Sequence, residues 1–298
     1  MMSPHTTATV SPRVHPFGVR PFGERLEEAL DRRGPLCVGI DPHPQLLRSW
    51  GLPLDERGLL EFGRRVIDAA AGRVAVIKPQ VAFFEQYGPG GLESLAEIIS
   101  LARASELLVI ADAKRGDIGT TMAGYADAWL GADAPWPADA LTVSPYLGFG
   151  ALQPAVETAQ ARGAGLFVLA LTSNPEGAQV QLAETQAGGR VAEEIVRAAA
   201  TALPSATGAL GSVGLVVGAT TAALAAEHGI DLTVGRVPLL APGFGAQGAS
   251  SQDLRQGFGP ASRQVLVNSS RQILQVGPEV TELSEAIEST RRDLASFR

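Results

Sequence analysis

A chain of 298 residues has room for one large domain or two ordinary ones. Its 45% apolar content supplies a substantial core and excludes a disordered chain, and the net charge of −7 argues against a general nucleic-acid binder, which carries a basic face. The single cysteine, Cys37, excludes a disulfide framework and a clustered cysteine metal site. No run approaches a membrane span, and no secretory pattern opens the chain, so a reducing, cytoplasmic setting is expected.

Residues 1–18 are rich in Pro, Thr and Ser without any period, and are read as a loose arm ahead of a single domain over 19–298. Phe22, Leu26 and Leu30 recur at helical spacing, predicting a helix over Phe22–Arg33 that Gly34-Pro35 ends. Eight short apolar runs follow, at Leu36–Ile40, Val74–Ile77, Leu107–Ile110, Ala140–Val143, Leu166–Leu171, Val213–Val217, Val237–Ala241 and Gln264–Val267. They are continuous rather than alternating, as in strands covered on both faces. Helical stretches separate them, at Leu59–Ala70, Gly91–Ala104, Thr120–Leu130, Leu152–Ala161, Gly189–Ala200, Thr220–Glu227 and Ser251–Phe258, with a last one near Pro278–Ala295.

This alternation predicts the α/β class and one (β/α)8 TIM barrel with additional terminal and loop segments. A doubly wound sheet is the main rival. Against it, the first run leads into Asp41-Pro42-His43-Pro44 and not into a glycine-rich dinucleotide turn. The excess length falls in the arm, in an excursion over 174–188 and in a linker over 203–211.

Barrel chemistry collects where strands end at their C-terminal side. Asp41 follows the first run, Lys78 the second, and Asp112, Lys114 and Asp117 the third. Of 24 basic residues only Lys78 and Lys114 are lysine, leaving 22 arginines, and both lysines fall at this rim. Unlike arginine, a lysine can give up and regain a proton. Asp112 and Lys114, two apart, face the same way in extended backbone, and Asp117 follows a glycine that can turn the chain back. A lysine among carboxylates suits a charged proton donor better than a Schiff-base nucleophile; the plainer alternative is a structural ion-pair cluster.

Late in the chain, Gly243, Gly245 and Gly248 leave backbone N–H groups open, Gln247 adds a donor, and Arg271 offers a planar fork. Together they read as a phosphate site near strands seven and eight, the plainer alternative being glycines that only make tight turns. It is not a P-loop, lacking the lysine and hydroxyl residue. Ser144, after run four, can pair with the edge of a heterocycle, and Asp41 either accepts from ribose hydroxyls or simply starts the helix after Pro42. His43 is declined as a general base, since no second histidine stands beside it, and no carboxylate–histidine spacing suggests a zinc site.

These residues resemble the orotidine 5'-phosphate decarboxylase family, in its longer bacterial type 2 branch. The most specific piece is Asp112-Ala113-Lys114-Arg115-Gly116-Asp117 followed by Thr120-Thr121, similar to the family's Asp-x-Lys-x-x-Asp signature. Asp41, Ile77-Lys78-Pro79, Phe83-Phe84-Glu85, the stretch 242–248 and Asn268-Ser269-Ser270-Arg271 support it, so the likeness spans about 36–273. It implies decarboxylation of orotidine 5'-monophosphate to uridine 5'-monophosphate, with no cofactor. Asp41 would bind a ribose hydroxyl, Lys78 would contact the ribose and the catalytic carboxylate, Asp112 would lie beside the substrate carboxylate, and Lys114 would protonate C6. Ser144 would read the pyrimidine; Gly245, Gln247 and Arg271 would serve the phosphate. Asp117 and Thr121 resemble residues given to a partner subunit's site, implying a homodimer. The arm, the 174–188 excursion and the glycine-rich strand-seven segment depart from the family's compact form. Two rivals remain: another phosphate-sugar lyase or epimerase on this barrel, which would need metal ligands at strand ends, and a non-catalytic nucleotide-binding barrel.

Overall fold

Continuous apolar runs need cover on both faces, and the chain supplies it by closing its strands on themselves. The computed structural model describes residues 19–245 and 249–297. Eight parallel strands pair in chain order, and the last returns to the first: β1 Leu36–Ile40, β2 Val76–Pro79, β3 Leu108–Arg115, β4 Ala140–Val143, β5 Gly165–Leu171, β6 Val213–Val217, β7 Leu239–Pro242 and β8 Val265–Ser269. This is the expected (β/α)8 barrel. The expected arm over 1–18 lies outside the described residues.

Two apolar clusters explain why the strands do not alternate. One lies between barrel and outer helices and includes Val38, Ile77, Leu141 and Val267 with Phe62, Ile98 and Leu283. The other fills the barrel from inside, with Cys37, Val76, Ile110, Phe167, Leu240 and Leu266. Neighbouring strand residues thus face different cores, and both faces are apolar.

The helix Phe22–Arg33 has a structural role its periodicity did not disclose. Its buried stripe of Phe22, Leu26 and Leu30 belongs to the inner cluster. Phe22 meets Phe167 edge to face at 6.0 Å. Burying a side chain of this size contributes about 1.5–3 kcal/mol. The helix packs against the inner core, and the polar cavities lie where the strands end at their C-terminal side.

Strand β3 carries the main irregularity. Ala111 pairs with Leu141 and Arg115 with Val143, so four steps on β3 span two on β4. The surplus residues form a bulge that holds Asp112 and Lys114, the kind of local break that re-aims side chains. Between the paired positions β4 offers only Thr142.

Candidate active site

Lys78 and Asp112 stand at the ends of neighbouring strands, both buried. Lys78 Nζ donates to Asp112 Oδ2 at 2.7 Å. Lys114 Nζ donates to the other oxygen, Oδ1, at 2.5 Å. Thr142 Oγ1 also donates to Oδ1, at 3.0 Å, and accepts from the backbone N–H of Lys114 at 2.9 Å. One carboxylate therefore takes three donors from three strands.

Burial alone would push the Asp112 carboxyl upward. The charges and hydrogen bonds of Lys78 and Lys114 outweigh it and hold the group well below the usual carboxylate range. Burial likewise opposes the charge on Lys78, but the carboxylates of Asp112 and Asp41 hold its ammonium above the ordinary lysine value. Beneath this pair, burial pushes the Cys37 thiol up to about 12, which leaves it an unreactive core side chain.

The expected meeting of Asp112 and Lys114 occurs, but not through extended backbone. Lys114 has φ +48°, in the left-handed region. For a residue with a Cβ this costs about 1–3 kcal/mol and is kept where surroundings over-determine it. Here the β3 bulge and the Thr142 hydroxyl do so. Lys114 keeps nearly half of its side chain exposed, whereas Lys78 is enclosed.

Two cavities, of about 790 and 740 Å³, share Lys78, Asp112 and Pro242 in their walls. The first is lined by Asp41, His43, Phe244, Asn268 and Arg271 among others. Asp41 Oδ1 is buried there with no hydrogen-bond partner among the described residues, which leaves an acceptor unused. Arg271 is exposed and makes no side-chain hydrogen bond or ion pair among the described residues. His43 packs its ring 4.0 Å from that of Phe83.

The second cavity is lined by Lys114, Thr142 and Ser144, with an apolar side of Leu169, Val216 and Leu240. Ser144 is half-buried, and its N–H donates to Arg115 O at 2.8 Å. Gly116 permits this approach, since a Cβ there would lie 2.6 Å from Ser144 O.

Asp117 and Thr121 stay apart from this group. Neither lines either cavity. Asp117 Oδ1 accepts from Ile118 N–H, and Lys114 is ion-paired with Asp112 alone among the described residues. Gly245, at φ +71°, packs against Gln272, where a Cβ would lie 1.8 Å from Oε1. Gln247 and Gly248 lie outside the described residues. Among those described, no three His, Cys, Asp or Glu side chains are grouped to hold a metal ion, and no helix is long and apolar enough to cross a membrane.

Some lining residues escaped the sequence reading. Thr142 sits inside the apolar run Ala140–Val143, where the pattern marks it only as strand. Thr172, Ser173 and Asn174 line the second cavity. They are the polar triplet directly after β5, the same signal that singled out Asp41 and Lys78. Gln181 folds back to Thr172, accepting from its N–H at 2.9 Å and donating to its Oγ1 at 2.7 Å. The 174–188 excursion is thereby part of the mouth. Arg115 reaches away from the cavity, pairs with Glu85 and lies over the Tyr125 ring at 5.7 Å.

A closed (β/α)8 barrel with a lysine–carboxylate cluster, and with an arginine at its C-terminal rim that is unpaired among the described residues, defines a barrel enzyme for an anionic small substrate. The chain belongs to the orotidine 5'-phosphate decarboxylase / HUMPS family, whose model matches residues 34–286. A Streptomyces coelicolor orotidine 5'-phosphate decarboxylase is 54% identical over 268 residues, which is 90% of this chain and 95% of the relative. One from Corynebacterium glutamicum strain R is 46% identical over 278 residues, 93% of this chain and 98% of the relative. A crystal structure from Streptomyces avermitilis, assigned as the same enzyme, superposes with a TM-score of 0.89 at 51% identity, covering 94% of this chain and 96% of that one.

Proposed function

We propose that this chain decarboxylates orotidine 5'-monophosphate to uridine 5'-monophosphate and carbon dioxide in the cytoplasm. The observation that carries the reading is the Lys114 ammonium held 2.5 Å from the Asp112 carboxylate, in the wall of the second cavity and on a group that lines both. Its family membership supports the choice of substrate.

The bond from C6 to the carboxyl carbon breaks, and carbon dioxide leaves. The electron pair stays on C6 in an in-plane orbital that the ring delocalises poorly. A fixed cation beside C6 stabilises that charge more in the transition state than in the ground state, which is the requirement for catalysis. Lys114 supplies the charge and then its proton, giving the C6–H bond, and regains a proton from solvent. Asp112 keeps the lysine aimed and places negative charge near the departing carboxylate. Lys78 keeps Asp112 ionised. The scheme routes no step through a metal or organic cofactor.

Asp41, whose Oδ1 has no partner among the described residues, takes a ribose hydroxyl. Arg271, with Gln247 and backbone near Gly245, takes the phosphate, and Ser144 takes the pyrimidine edge. Asp117 and Thr121 complete the site of a second copy in a homodimer. The deciding measurement is carbon dioxide release from orotidine 5'-monophosphate with a chelator present. Stoichiometric uridine 5'-monophosphate is expected. Binding without turnover, or activity only with added divalent metal, would overturn the reading.

A further inference from the structure

We propose that Thr142 is a positioning residue, whose hydroxyl sets the geometry of Asp112 and Lys114 together. The inference rests on the decarboxylase reading of this site.

Thr142 is 1% exposed and stands opposite the β3 bulge. A hydroxyl has one proton to give and two lone pairs to accept with. The backbone N–H of Lys114 can only donate, so Thr142 Oγ1 must accept there, at 2.9 Å. Its own proton is then free for Asp112 Oδ1, at 3.0 Å. The same Oδ1 receives Lys114 Nζ. A closed ring results: Lys114 backbone to Thr142, Thr142 to Asp112, Asp112 to the Lys114 ammonium.

Within the bulge, Lys114 N–H donates to this side chain in place of a strand partner. The hydroxyl thus helps to hold Lys114 at φ +48°, from which its side chain returns to Asp112. Lys114 would otherwise relax toward negative φ, turning its side chain to a different direction. The branched Thr142 side chain adds to this, because its χ1 is stiff. Thr142 touches neither bond change in the scheme, so its effect passes through the other two groups.

The test compares Thr142→Val, which keeps the shape and removes the hydroxyl, with Thr142→Ser, which keeps the hydroxyl. Thr142→Ala takes the place of valine if that variant does not fold. Three quantities are read: kcat and KM for orotidine 5'-monophosphate, calorimetric binding of uridine 5'-monophosphate, and lysine-selective 13C NMR. The chain has only Lys78 and Lys114, so lysine labelling gives two assignable side-chain signals. The valine variant is expected to lose about tenfold to hundredfold in kcat, the scale for a small displacement of a reacting group. Its KM and product affinity should stay within about twofold, while its Lys114 signal shifts. Serine should restore most of kcat and the wild-type signal.

A valine variant with wild-type kcat would overturn the inference, as would serine and valine variants that fall together. A wild-type protein that releases no carbon dioxide would instead sink the decarboxylase reading. The Lys114 signal would then still decide the positioning claim, an unmoved signal in the valine variant counting against it.

Discussion

Lys78 places its ammonium 2.7 Å from Oδ2 of Asp112, across the junction of β2 and β3, with both groups buried. The pair is held in the ionised form from both sides. Breaking it by Asp112→Asn leaves a buried ammonium whose remaining nearby carboxylate among the described residues is Asp41. Removing one partner of a buried pair costs about 3–5 kcal/mol, so the variant should unfold at clearly lower urea concentration at pH 7. The pH dependence has a definite sign. The folded Asp112 carboxyl lies below its ordinary value of 3.8, so its contribution is fully present above that value and is lost as pH falls through the folded value. Lys78 is raised above 10.5, so its share persists below that pH and disappears as pH rises through its folded value. The stability difference between wild type and Asp112→Asn should therefore stay flat from about pH 7 to 5 and shrink only below about 3.8. Urea unfolding across that range checks it. A difference that already halves by pH 5 would mean that Asp112 is not held ionised.

Lys114 is the other lysine on the same carboxylate, but it stands half in solvent. Its ion pair should therefore contribute little to stability, about 1 kcal/mol or less. Lys114→Ala should melt close to wild type. Its kcat should fall by roughly four powers of ten or more, since a proton donor and a stabilising charge leave together. A carbon dioxide release assay beside a thermal melt separates the two effects. An unchanged kcat would remove Lys114 from the chemistry.

Legibility of this site in the sequence follows from what each signal depends on. Leu36–Ile40, Ala140–Val143 and Val213–Val217 are strands with the limits that their apolar runs predict. Strand β3 instead runs five residues past Ile110, through Asp112 and Lys114. Its ladder continues where side chains turn polar toward the cavity, and an apolar pattern cannot register that. Asp41 and Lys78 are readable because charge directly after an apolar run is conspicuous, and Lys114 because it is one of only two lysines and stands two residues from Asp112. Thr142 is not, because a threonine inside a strand is ordinary until the bulge opposite it is known. The left-handed Lys114 is equally hidden, since that region usually falls to glycine.

Arg271 follows β8 and lines the first cavity without a protein partner among the described residues. A guanidinium in that state is available for two parallel bonds to phosphate oxygens. Arg271→Ala should raise KM by about tenfold to hundredfold, the equivalent of one or two charge-assisted hydrogen bonds. Its effect on kcat at saturation should be much smaller. Steady-state kinetics decide the matter, and an unaltered kcat/KM would take Arg271 out of the phosphate site.

The outward position of Asp117 and Thr121 leads to a sharper test of the proposed dimer. Neither residue lines the cavities of its own chain, and both flank Ile118, which is 61% exposed. If Asp117 serves a partner's site, Lys114→Ala and Asp117→Ala inactivate different subunits' contributions to that site. In a mixed dimer, the Asp117→Ala subunit keeps its own Lys114 and receives an intact Asp117 from its partner. Its site is whole, while the other site lacks both groups. Random exchange makes half of the dimers mixed, with one whole site in two, so about a quarter of wild-type activity should return when two inactive variants are combined. Unfolding and refolding them together, then assaying carbon dioxide release, measures this. If Asp117 acted within its own chain, every site would lack one group and no activity would return.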